Sequence, residues 1–228
     1  MDDKNRENGL EIVNIYDRNL LVRKRIVYLM SMITDVDGNE SGIDAALFSY
    51  VSQALDILES LNSNDIRFVM NLKGGSWSDA LAIYDRIMSC PCQTLIEAYG
   101  SVGSGAPIIL QSADRRLIAP HATMLIHDGT VKIEGEESTR DAEAWGSFSR
   151  QVERRRMYEI LASRSKLSPD EVKNMCINDC YITPKKALRL GLVDEILDPK
   201  KSSNLEFPRF RSLEKKVSKR KETSKDTD

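Results

Sequence analysis

Between Ile26 and Leu197, short apolar segments take turns with stretches of helical periodicity, and this alternation limits the folds open to the chain. The run Ile26-Val27-Tyr28-Leu29 reads as a short buried strand. Ala46 to Leu61 follows, with Leu47, Val51, Leu55, Ile57, Leu58 and Leu61 at roughly helical spacing. Ile66 to Leu72 is almost continuously apolar, as a strand covered on both faces would be. A turn at Lys73-Gly74-Gly75-Ser76 leads to a helix from about Ser78, with Trp77, Leu81, Tyr84, Ile87 and Met88 as its apolar stripe and Pro91 closing it. Thr94 to Tyr99 is the next strand, then a glycine-rich turn and a short helix through Pro107 to Leu110. Arg115 to Ala119 and Ala122 to His127 are two further strands. Strands alternating with helices favour helices layered on a sheet with right-handed crossovers, an α/β fold.

The rest of the chain is more polar. Asp141 to Ser165 reads as one long charged helix, with Trp145, Phe148, Val152, Met157, Ile160 and Leu161 at imperfect spacing. Ser168-Pro169-Asp170-Glu171 is a capping box with proline at the first helical position. Thr183-Pro184 starts a short helix that Gly191 ends, and Leu192 to Leu197 returns as a strand. Residues 1–13 read as a flexible segment, 14–200 as one domain, and 201–228 as a charged, disordered tail.

Composition narrows the function. At 228 residues, 41% hydrophobic and 30% charged, the chain supports one sizeable core. A net charge of −2 gives no global attraction to nucleic acid or membrane. No apolar run approaches the ~18 residues of a membrane span, and the polar start, Met1 to Glu7, is unlike a secretory signal, so a cytoplasmic protein is expected. Asp35 to Ser41 has the look of a calcium loop, but Ala46 and Leu47 stand where the final glutamate is needed. Cys90-Pro91-Cys92 and the Cys176/Cys180 pair lack ordinary metal spacing and read as reduced, incidental thiols; no metal site is expected.

The chemistry gathers where predicted elements end. Ser104 lies in Tyr99-Gly100-Ser101-Val102-Gly103-Ser104-Gly105-Ala106-Pro107, where a sharp turn exposes a hydroxyl and leaves backbone N–H groups nearby. Ser101 is a rival nucleophile earlier in that turn. A serine hydroxyl needs a base, and the base gains from a carboxylate that fixes its tautomer. Only His121 and His127 offer an imidazole; His127 ends an apolar strand, whereas His121 follows Pro120 in a turn. Gly74-Gly75 ends another strand, and Asp179 lies between two capped helices. The G-x-S-x-G elbow of ordinary α/β-hydrolases is absent, because Val102 occupies its first glycine position.

So placed, the segments resemble the proteolytic subunit of the Clp protease, a self-compartmentalised serine peptidase. The likeness runs from about Asn14 to Leu197, some four-fifths of the chain. Ile15 to Leu21 and Arg25 to Leu29 are similar to the family's "IYSRLL…ERVIFL" opening, Ile66 to Gly75 to its "IYLYINSPGG", and Tyr84-Asp85 to the "IYD" of the next helix. Tyr99 to Pro107 resembles "GQAASMGA", and Ala119 to His127 resembles "LPNSRVMIH". Ala187 with Gly191-Leu192-Val193-Asp194 follows "A…GLVD". The chain departs from these patterns at Lys73, where proline is usual, at Gly105, where methionine is usual, across residues 32–46, and after His127, where Asp128 to Glu137 replaces a glycine-rich segment.

The resemblance implies a crotonase/ClpP-like α/β fold of stacked β-sheets and helices, with Asp141–Ser165 as a projecting handle. It implies a serine endopeptidase in which Ser104, His127 and Asp179 form the triad and the backbone N–H groups of Gly74 and Gly105 hold the oxyanion. It implies no metal or organic cofactor, with ATP entering only through a partner AAA+ unfoldase. The expected assembly is a homo-oligomer, a heptameric ring or stacked double ring, acting on protein or peptide substrates. A phage capsid-maturation protease of the same superfamily and a catalytically silent ring subunit beside an active paralogue are the alternatives.

Overall fold

The computed structural model describes residues 16–17, 20–30, 42–129 and 138–198. The expected flexible start, the loop 35–41, most of the segment after His127 and the charged tail lie outside the described residues. Contacts divide the chain into one unit ending at Ile196 and a second from Leu197 onward, of which Leu197 and Asp198 alone are described.

Among the described residues, nine strands form one connected sheet. They are β1 (Tyr16–Asp17), β2 (Leu20–Leu21), β3 (Ile26–Met30), β4 (Ile66–Leu72), β5 (Thr94–Gly103), β6 (Arg115–Ile118), β7 (Thr123–Ile126), β8 (Cys180–Ile182) and β9 (Glu195–Ile196). The spine runs β1-β2-β3-β4-β5-β6-β9, with β7 pairing β5 and β8. From β3 through β9 the spine is parallel, as alternating strands and helices demand. The helices are α1 (Ala45–Leu61), α2 (Trp77–Met88), α3 (Ala106–Gln111), α4 (Thr139–Phe148), α5 (Arg154–Ser163), α6 (Pro169–Cys176) and α7 (Pro184–Leu190). No helix among the described residues is long and apolar enough to cross a membrane.

The core lies where Val27, Leu29, Phe68, Met70, Leu72 and Ile96 of the sheet are buried together with Leu47, Val51, Leu55 and Leu58 of α1. Leu47, Val51, Leu55 and Leu58 are four, four and three residues apart, the spacing that puts side chains on one helical face. Asp44 caps the helix by accepting from the Leu47 N–H at 2.8 Å. In α2 the buried face is Ala80, Ile83 and Ile87, while Met88 is 56% exposed. The expected stripe is therefore rotated: small Ala80 makes the close contact and the larger Met88 stays outside. The core helix α3 is buried along its whole length. Its exit is tied down by the Arg164 guanidinium, which donates to the carbonyl of Gln111, the last helical residue, and to those of Ala113 and Asp114 just beyond.

β5 departs most from expectation. It does not end at Tyr99 but continues to Gly103 through an irregularity. Met70 pairs with Ala98, yet Leu72 pairs with Val102, so β5 carries extra residues against β4. Gly100 takes φ +53° there, and a Cβ on it would lie 2.8 Å from Asn71 Oδ1. That same oxygen accepts the Ser101 N–H at 2.9 Å. Upstream of the bulge β5 pairs with β6; downstream it pairs with β7. The strand β8 falls inside a stretch that sequence periodicity leaves as a connection, and Leu192 to Leu197 contracts to the two-residue β9. The long charged helix is interrupted by a π-helical turn at Ser149–Glu153 between α4 and α5.

Candidate active site

Strand register brings the candidate residues together. Gly103 at the end of β5 pairs with Leu125 in β7, and Ile126 pairs with Cys180 at the start of β8. Ser104, His127 and Asp179 are each the next residue beyond those pairs. Leu72 opposite Val102 likewise carries Gly74 to the other flank of Ser104. The segments are separated by tens of residues, but each needs only to end its strand in phase.

Ser104 Oγ lies 3.1 Å from His127 Nε2, and His127 Nδ1 lies 2.9 Å from Asp179 Oδ1. The carboxylate can only accept, so Nδ1 carries the proton and Nε2 is left to accept from the serine hydroxyl. The His127 side chain is 24% exposed and that of Asp179 55%. Water therefore screens the carboxylate, and its contribution is to orient the ring more than to supply a strong field. Ser104 has φ +56°, a left-handed conformation that costs a non-glycine residue about 1–2 kcal/mol. Its N–H donates to the Leu125 carbonyl at 2.9 Å, which fastens the turn to β7.

Gly74 adopts φ +128° and abuts the serine: a Cβ there would lie 2.6 Å from Ser104 Cβ and 3.3 Å from its Oγ. Gly105 opens α3 and packs with Ala80 Cβ and Ile43 Cδ1 at 3.0 and 3.1 Å from where its own Cβ would stand. Both glycines thus flank Ser104, one in space and one in sequence. The rival serine and histidine lie elsewhere: Ser101 is within β5, and His121 is exposed in the turn before β7.

A cavity of about 580 Å³ opens on Ser104 and His127. Its far wall comes from the helix that periodicity described imperfectly: Trp145, Ser149, Glu153, Arg154 and Met157. Sequence reasoning missed the charged groups here. Asp128, directly after His127, accepts from Arg154 Nη1 at 3.2 Å and from the Tyr158 hydroxyl at 2.5 Å, while its own N–H donates to the Cys176 carbonyl at 2.9 Å. One residue thus ties the exit of β7 to α5 and to the end of α6. Burial, then the hydrogen bond and charge of Asp128, push the Tyr158 phenol above its ordinary value and keep it a donor. Burial, then the charges of Asp128 and Cys180, push the Cys176 thiol up to about 12, so it does not compete as a nucleophile. All four cysteines are free thiols, and no cluster of metal-binding side chains occurs among the described residues.

The sequence model of the family described as Clp protease matches residues 7–200. The ATP-dependent Clp protease proteolytic subunit 2 of Corynebacterium jeikeium is 28% identical over 191 residues, covering 81% of this chain and 84% of that protein. The ATP-dependent Clp protease proteolytic subunit 3 of Nocardia farcinica is 27% identical over 202 residues, covering 86% and 84%. Among solved structures, a ClpP1 variant from Listeria monocytogenes superposes with a TM-score of 0.68, covering 79% of this chain and 95% of that one at 20% identity, a likeness of fold.

Proposed function

Because the chain belongs to the Clp protease family, we propose that it is a serine endopeptidase whose nucleophile is Ser104. The observation that carries this reading is the continuous relay from Ser104 Oγ through His127 to Asp179, at 3.1 and 2.9 Å. In the reaction, Ser104 Oγ attacks the peptide carbonyl carbon as His127 Nε2 takes its proton. The tetrahedral oxyanion forms beside Gly74 and Gly105, whose backbone N–H groups stabilise it. His127 then gives the proton to the departing amine, the C–N bond breaks, and an acyl-enzyme remains. Water, deprotonated by the same imidazole, releases the acid and restores the serine. Every proton transfer passes through His127, so the cycle calls for no metal or organic cofactor.

The named relatives are subunits of an ATP-dependent protease, which supports a homo-oligomeric ring, a heptamer or a pair of them, fed by an AAA+ unfoldase that spends the ATP. The short Ser104–His127 contact supports an active subunit over a silent one. The test is labelling with an alkyl fluorophosphonate, mapped by mass spectrometry. Labelling at Ser104 that is lost in His127→Ala supports the proposal; no labelling in a sample that sediments as a ring overturns it.

A further inference from the structure

We propose that the cavity beside Ser104 selects peptides with a lysine or arginine side chain next to the scissile bond, and that Glu153 is the residue that reads it. This inference rests on the serine peptidase reading and adds a substrate class to it.

Among the described residues, the charged side chains lining the cavity, besides His127, are Asp128, Glu153 and Arg154. Asp128 and Arg154 neutralise each other at 3.2 Å. Glu153 has no ion-pair or hydrogen-bond partner among the described residues, and its side chain is half-buried. The described lining of the cavity therefore carries one uncompensated negative charge when His127 is in the neutral form that catalysis requires. A carboxylate withdrawn from bulk water and left unpaired costs free energy that an incoming cation recovers.

The walls suit the rest of such a side chain. Trp77, Trp145 and Met157 line the cavity, giving apolar surface for a methylene stem and aromatic faces that attract a cation. A volume of about 580 Å³ admits a long side chain. The helix aims the carboxylate there by means of its π turn. Trp145, Ser149, Glu153 and Met157 follow at four-residue steps, and in an unbroken α-helix each such step drifts about 40° around the axis. The wider turn at Ser149–Glu153 slows that rotation in the middle of the series and keeps the four on one face.

Ser104 is labelled with two peptidyl diphenyl phosphonates that differ only in carrying a lysine-like or a leucine-like side chain, after confirming that a simple alkyl fluorophosphonate labels the full chain at Ser104. The lysine-like probe is expected to react at least about tenfold faster, the margin of one charge-assisted hydrogen bond. Glu153→Gln is expected to bring the ratio of the two rates close to one, and Glu153→Lys to turn preference toward the leucine-like probe. A faster leucine-like probe on the parent chain, or a ratio unchanged in Glu153→Gln, overturns this inference and leaves the peptidase reading standing. Absence of fluorophosphonate labelling overturns both.

Discussion

At Ser104, the proposed nucleophile, the backbone holds strain. The residue sits at φ +56°, a conformation glycine adopts freely and alanine does not. Ser104→Gly should therefore be more stable than Ser104→Ala by about 1 kcal/mol, although glycine usually weakens a fold; urea unfolding of the two variants measures it. Gly74 is the converse case. In Gly74→Ala the new methyl has no room beside Ser104 Cβ, 2.6 Å away, and the backbone at φ +128° resists it. Labelling of Ser104 should fall by about 10²–10³-fold, the usual cost of a lost oxyanion donor, while far-UV circular dichroism stays near native. An unchanged labelling rate would remove Gly74 from the site. Both residues were legible in the sequence because glycine-rich turns at strand ends are visible without a structure. The side of the turn on which each lies was not.

At the scale of elements, the junction at Asp128 decides how firmly His127, the proposed base, is held. It joins β7 to α5 through Arg154 and Tyr158, and to α6 through the Cys176 carbonyl. Asp128→Ala should slow Ser104 labelling about tenfold and lower stability by about 1–2 kcal/mol, since it leaves Tyr158 and Arg154 without their acceptor. Asp128→Asn, which keeps an acceptor for Tyr158 but loses the charge facing Arg154, should recover part of the rate. Labelling kinetics beside chemical denaturation separate the two effects. This junction was hidden in the sequence for a physical reason. The π turn at Ser149–Glu153 shifts the helical phase, so the apolar residues before it, Trp145 and Phe148, and those after it, Met157 and Leu161, do not follow one 3.6-residue period along the sequence. Trp145 and Phe148 stack on each other at 5.8 Å and are 44% exposed, while Met157 and Leu161 are buried. β8 was hidden differently, being three residues long and supported by pairing with β7 alone.

For the whole molecule, one ion pair makes stability depend on pH in a definite direction. Arg116, 4% exposed, holds Asp194 at 2.5 Å and so clamps β6 to the chain entering β9. Burial pushes the Asp194 carboxyl up, but the hydrogen bonds and charge of Arg116 outweigh it and hold the group below its ordinary value of 3.8. A carboxyl depressed by folding stabilises the fold fully above its unfolded value and loses that contribution as pH falls through the folded one. The urea midpoint should accordingly hold from pH 7 to about pH 5 and decline below about pH 4. Asp194→Asn should lower the unfolding free energy by about 2 kcal/mol at pH 7, the modest end for a pair with one buried member because Asp194 is 39% exposed, and should flatten the acid decline. A variant as acid-sensitive as the parent would place the titration elsewhere. At this scale the sequence was most readable: the parallel α/β plan follows from the alternation of apolar strands and amphipathic helices, and the family likeness covers the same span.

The bulge in β5 has a consequence for how such a chain tolerates change. Upstream of Gly100 the strand answers to β4 and β6; downstream it keeps β4 through Leu72 and Val102 but exchanges β6 for β7, and through it β8. The location of Ser104, His127 and Asp179 is thus fixed by counting residues from strand pairs, not by the length of the segments between them. Insertions in the connections leave that count intact, whereas a single residue gained or lost between Gly100 and Ser104 turns the later side chains of β5, and Ser104 with them, to the opposite face. Length variation should be admitted freely around this molecule and refused in that one short stretch.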